Sequence, residues 1–116
     1  MLNSKLLESW NVKSIKIYWG QSAYDLINLS DGALELHRAI EVKDPVLSSL
    51  FKAAKYKNAK VLLKGTTLGI VKLDDGLMKK IIISNYGGFF LLPDQPGGYY
   101  YFDNDERKVW DNILRK

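Results

Sequence analysis

The residues from Asp44 to Lys64 restrict the fold more than any other part of the chain. Pro45 suits a first helical turn, where its missing N–H would have no partner in any case, and Asp44 before it is a natural N-cap. Val46, Leu47, Leu50, Phe51 and Ala54 fall within about 140° of one another on a helical wheel, so one side of such a helix must be buried. Ser48, Ser49, Lys52, Lys55 and Tyr56 take the opposite side. Lys55 and Lys57 would stand in the last turn, against the negative end of the helix dipole, and Asn58 fits the left-handed stop. The spacing predicts a helix from Pro45 to Lys57 that plugs a sheet, and a buried strand from Lys60 to Lys64.

The rest of the chain supplies that sheet. Ile15, Ile17 and Trp19 alternate with Lys16 and Tyr18, the period of a half-buried strand. A second strand is expected at Tyr24–Leu29, then a turn at Ser30-Asp31-Gly32. Ala33–Val42 has good helix formers, yet Leu34, Leu36, Ile40 and Val42 share one face at period two, and the reading adopted is a strand. Leu68–Leu73 and Leu77–Ser84 flank Asp74-Asp75-Gly76 as a hairpin. Phe89–Leu92 and Tyr99–Phe102 are strands joined by a loop rich in Pro and Gly. A short helix carrying Leu6, Leu7 and Trp10 opens the chain. A longer one closes it, capped by Asp103, Asn104 or Asp105, with Val109, Trp110, Ile113 and Leu114 as its apolar stripe.

With 116 residues and no internal repeat or linker, one domain spanning 1–116 is expected. The fold class is α+β: a small antiparallel sheet, or an OB-like partly open barrel with a helix between the third and fourth strands and a C-terminal helix.

Composition narrows the chemistry. The chain has no cysteine, which removes disulfides, thiol nucleophiles and cysteine-ligated zinc together. No signal-peptide pattern and no membrane-length apolar run occurs, so a cytoplasmic protein is expected, or a secreted or periplasmic one from which a leader was removed. The net charge of +4 is concentrated between residues 43 and 80, where nine lysines face three aspartates. Lysine far outnumbers arginine, and a composition bias with no functional meaning would produce the same excess.

No motif announces catalysis. His37 is the single histidine; on a strand it would share a face with Glu35 and Glu41, an arrangement open to acid–base work but equally a solvated face of mixed charge. Metal-ligand spacings, phosphate loops and nucleophile elbows are missing, and no cofactor or metal is expected. Two surfaces stand out as binding candidates. One is basic: Lys52, Lys55, Lys60 and Lys64 around Tyr56, suited to phosphates and stacked bases. The other is aromatic, with Tyr86, Tyr99 and Tyr101 among Phe89, Phe90, Tyr100 and Phe102; alternate members must face opposite sides of a hairpin, and the outward ones suit a protein interface. The expectation is a non-enzymatic module that binds a partner protein through the aromatic hairpin. The runner-up is single-stranded nucleic-acid binding through the lysine-rich helix, and a small hydrolase or nuclease using His37 is a distant third.

Overall fold

Alternation along the strands decides which side chains each sheet face receives. The structure is a computed structural model that describes residues 7–61, 65–86, 88–95 and 97–115. Seven strands form one antiparallel sheet: β1 (Val12–Tyr18), β2 (Ile40–Val42), β3 (Lys55–Lys57), β4 (Thr66–Leu73), β5 (Met78–Ser84), β6 (Phe89–Leu91) and β7 (Tyr99–Tyr101). Their order is β2-β1-β4-β5-β6-β7-β3. The sheet is open, with β2 and β3 at its two edges. Of the two architectures expected, it has the open antiparallel one.

Four helices accompany it: α1 (Ala23–Leu26), α2 (Asp31–Leu34), α3 (Val46–Ala53) and α4 (Asn104–Leu114), with a single 3-10 turn at Leu7–Ser9. The first sheet face carries Ile15 and Ile17 of β1, Val71 of β4, Ile81 and Ile83 of β5, Phe90 of β6 and Tyr100 of β7, packed against α3 and α4 in one core. Phe51 is the hub. Its ring meets Trp10 at 5.8 Å, Phe90 at 5.4 Å and Trp110 at 5.7 Å, so the N-terminal turn, the sheet and the C-terminal helix all converge on α3. Rings of this size dominate core energetics, at roughly 25 cal/mol for each Å² removed from water.

The helix expected after Asp44 begins as foreseen, with the Asp44 carboxylate accepting the Val46 N–H at 3.0 Å. It ends at Ala53, four residues before Lys57. Ala54 is extended, and Lys55-Tyr56-Lys57 pairs with β7, Tyr56 standing directly opposite Tyr100. Cross-strand pairing therefore overrides the helix propensity of these three residues. Lys60 and Val61 lie outside any element, and 62–64 lie outside the described residues, so the strand expected at Lys60–Lys64 does not form where it can be followed. Ser48, expected to face water, instead accepts the Val12 N–H at 2.8 Å and donates to the Val12 carbonyl at 3.1 Å. These bonds hold the strand where its register shifts between Val12 and Ser14.

Two further expectations give way on the second face. Tyr24–Leu29 is not a strand. Ser22 accepts the Tyr24 N–H and caps α1. Ser30 in turn accepts the Ala33 N–H and caps α2, which consumes the start of the strand expected at Ala33–Val42; only Ile40–Val42 is extended. In both places a serine hydroxyl offers the backbone a helical start that the period-two reading did not weigh. Because 23–26 is helical, α3 follows the second strand and precedes the third, rather than lying between the third and fourth. Arg38 is consequently exposed in a loop and does not point toward the core.

Trp110 tests the logic of the first-face core. Its ring is wholly buried among Phe51, Phe90 and Phe102, and among the described residues its indole N–H has no acceptor. Trp110→Phe removes that unsatisfied donor together with some volume and should cost less than about 1.5 kcal/mol, whereas Trp110→Ala leaves a cavity and should cost about 3–5 kcal/mol. Urea unfolding of both variants checks the pair.

Candidate binding surface

The second sheet face is covered over part of its width only. Tyr18, Leu68, Ile70 and Ile82 project from it and pack with Ala23, Leu26 and Leu34 of the two short helices. That cover is fastened at two points. The Thr66 hydroxyl lies 3.0 Å from both the Ser22 hydroxyl and the Ala23 N–H, tying the start of α1 to β4. The Lys80 ammonium, projecting from β5, donates to the carbonyls of Ile27 at 2.6 Å and Leu29 at 3.3 Å, tying down the chain beyond α1.

Beyond β5 the second face has no helix over it among the described residues. Register places Phe89 opposite Tyr101, Tyr101 opposite Lys55, and Tyr99 opposite Lys57, so all five side chains share this face. Phe89, Tyr99 and Tyr101 are half-buried and belong to neither core. They shield one another instead, Phe89 meeting Tyr99 at 5.1 Å and Tyr99 meeting Tyr101 at 6.2 Å. Leu91, opposite Ile82, marks the border where the cover stops. Near that border lies a groove of about 720 Å³, lined by Tyr24 of α1, by Ile27 and Asn28 just beyond it, by Lys80 and Ile82 of β5, by Trp10 of the first-face core and by the 92–95 loop.

Residues on the inner side of the same strands hold this surface in place. Tyr100 stacks on Phe90 at 5.4 Å and donates its hydroxyl to the Gln95 side chain at 2.8 Å, which fixes the loop before β7. Tyr56 packs on Tyr100 at 5.1 Å, and a Cβ at position 98 would overlap its hydroxyl. Only glycine fits at position 98.

The residues named from sequence therefore separate. Tyr99 and Tyr101 come together on the bare face, with Lys55 beside them; Lys55 ion-pairs with Asp103, and the hydrogen bond to that carboxylate raises its pKa. Tyr56 points the other way and is an inner packing residue. Lys52 stays on α3, across the sheet, donating to Asn11 at 2.9 Å. Lys60 is exposed outside any element, and Lys64 lies outside the described residues. Tyr86 stands apart at the end of the sheet, 70% exposed. The lysine-rich helix face is thus dispersed, because its last lysines belong to a strand. Phe89, named within the aromatic group, shares this face, and Leu91 and Lys57 join it without having been singled out; the alternation of Phe89-Phe90-Leu91 was the available signal, since it puts Phe89 and Leu91 opposite the buried Phe90.

His37 follows α2, half-buried, and its N–H donates to the Leu34 carbonyl. It is not on a strand with Glu35, so the shared face expected for the pair does not exist. Among the described residues no group of three or more His, Asp or Glu could hold a metal ion, and no helix is long and apolar enough to cross a membrane. No family model, curated protein or solved structure matches the chain.

Burial, and secondarily the neighbouring Tyr56 phenol, pushes the Tyr100 hydroxyl up to about 12. An unfolded tyrosine ionises near pH 10, so the folded state keeps this group's full contribution below about pH 10 and loses it as pH rises toward 12. The loss should reach on the order of 2–3 kcal/mol, and the alkaline limb of a pH–stability profile should flatten in Tyr100→Phe.

Proposed function

We propose that the protein is a non-enzymatic interaction module that captures an acidic segment of a partner protein on the bare half of its second sheet face. One observation carries the reading: the register that lines up Phe89, Tyr99 and Tyr101 beside Lys55 and Lys57 on a face with no helix over it among the described residues. Half-buried tyrosines offer large contact area at low side-chain entropy cost, and such residues anchor protein interfaces. The lysines supply the sign of the complement. Lys57 has no ion pair among the described residues, and the whole chain carries +4, so an acidic partner is favoured in encounter and in register.

A second reading draws on the same register. Lysines directly across from tyrosines also suit stacked bases and phosphates, so a single-stranded nucleic acid would occupy the same five side chains. The dispersal of Lys52 to the other side of the sheet weakens it, because a strand needs a continuous basic track.

The test is site-specific photo-crosslinking in cells with benzoylphenylalanine at position 101, and at position 52 across the sheet as control. The expected result is one protein adduct from position 101, none from 52, and at least a fivefold drop in the adduct when Lys57→Glu is added without a change in melting temperature. Equal labelling from both positions removes the reading. A nucleic-acid adduct from 101, with affinity falling steeply in added salt, replaces it by the second.

A further inference from the structure

A different part of the molecule holds a second cleft. The ends of β1, β4 and β5 meet beside α1, and between them lies an open cleft of about 410 Å³ lined by Trp19, Gln21, Ser22, Gly65, Thr66 and Asn85, among others. We propose that this cleft is a separate binding site for a neutral polyhydroxylated ligand of the glycan class, held between the Trp19 indole and the Gln21 and Asn85 amides.

The lining selects the chemistry. Among the described residues it contains indole, phenol, amide, hydroxyl and glycine, and no Asp, Glu, Lys, Arg or His. A charged ligand would find no counter-ion among these residues, whereas the hydroxyls of a neutral polyol can exchange water for the amides and hydroxyls of the lining. Sugar rings have an apolar C–H face and a rim of hydroxyls, and they need an aromatic plane with amides set around it. Trp19 is 37% exposed and Tyr24 57% exposed, both far above what core aromatics show. Tyr86, also exposed, stands beside Gly65 at the rim: a Cβ on that glycine would lie 3.5 Å from its ring.

One of the two amides is held in place by a hydrogen bond. Thr67 is buried and donates its hydroxyl to the Asn85 Oδ1 at 2.6 Å, and the Asn85 N–H donates to the Gly65 carbonyl at 3.0 Å. The first of these bonds restrains the Asn85 carboxamide through its oxygen, leaving Nδ2 as a donor with no partner among the described residues. Gln21, at the turn into α1, likewise has no side-chain partner among them and offers both donor and acceptor. Gly65 keeps the space open: a Cβ there would lie 3.0 Å from Asn85 Nδ2. Its backbone is outside the left-handed region, so local conformation does not require glycine at this position. A restrained amide, a second amide free to adjust, and hydroxyls set around exposed aromatics, with glycine at position 65, are the ingredients of a small polar-ligand site.

This site is independent of the aromatic sheet face, and the experiment separates the two. Heteronuclear NMR titration uses chitotriose, maltotriose, cellotriose and mannotriose, each to about 20 mM. At least one should saturably shift the Trp19 indole N–H and the Asn85 and Gln21 side-chain amides. Trp19→Ala and Gly65→Val should each weaken that binding at least tenfold, while Tyr101→Ala leaves it unchanged. Gln21→Ala, at an exposed position, serves where either variant lowers stability and should weaken binding at least threefold. If none of the four sugars moves those signals, or if the shifts persist in Trp19→Ala and Gln21→Ala, the proposal is overturned.

Discussion

Everything in this molecule leans on the contact between Phe51 and the rings around it. One short helix carries that phenylalanine onto the first sheet face, and three aromatic partners from the N-terminal turn, β6 and α4 close over it. Both helices longer than one turn are thereby committed to the same face. What remains for the other face is the 23–34 segment, with two helices of four residues each. Such helices are too short to stand alone, so their hold depends on tertiary anchors: the Thr66 hydroxyl and the Lys80 ammonium. Among the described residues, the longer helices thus pack on one sheet face and the two short ones on part of the other.

The division has a chemical consequence. Where the cover ends, the strands change composition, from Ile and Leu on β4 and β5 to Phe and Tyr on β6 and β7. Tyrosine tolerates a half-wet setting because its ring packs while its hydroxyl stays hydrated. Alternation then does the sorting. Phe90 and Tyr100 enter the core, and Phe89, Tyr99 and Tyr101 form a platform on the opposite side, rigid because their neighbours in sequence are locked inside. The same strands therefore supply core packing on one face and a half-buried aromatic row on the other.

Much of this was legible in the residues, and the failures have two causes. The Asp74-Asp75-Gly76 hairpin, the 93–98 loop and the C-terminal helix with its Trp110 stripe follow from turn chemistry and local periodicity, and the structure has all three. The start of α3 was visible in Asp44-Pro45. Its end was not, because Lys55-Tyr56-Lys57 has the propensity to continue a helix and is drawn into the sheet by a partner more than 40 residues away in the chain. The Ser22 and Ser30 caps were overlooked because Tyr24–Leu29 and Ala33–Val42 also satisfy a period-two pattern. The candidate surface was half legible: the tyrosines were evident, but which lysines would join them depended on that long-range pairing.

The central claim is that the two faces of β6 and β7 differ in access. It is tested most directly by measuring ring-proton relaxation in the presence of a soluble, uncharged paramagnetic gadolinium chelate. The account predicts strong enhancement at Phe89, Tyr99 and Tyr101, with Phe90, Tyr100 and Phe51 close to their unperturbed rates. Equal protection of Phe89 and Phe90, or of Tyr101 and Tyr100, would mean that the second face is covered along its whole width and would contradict it.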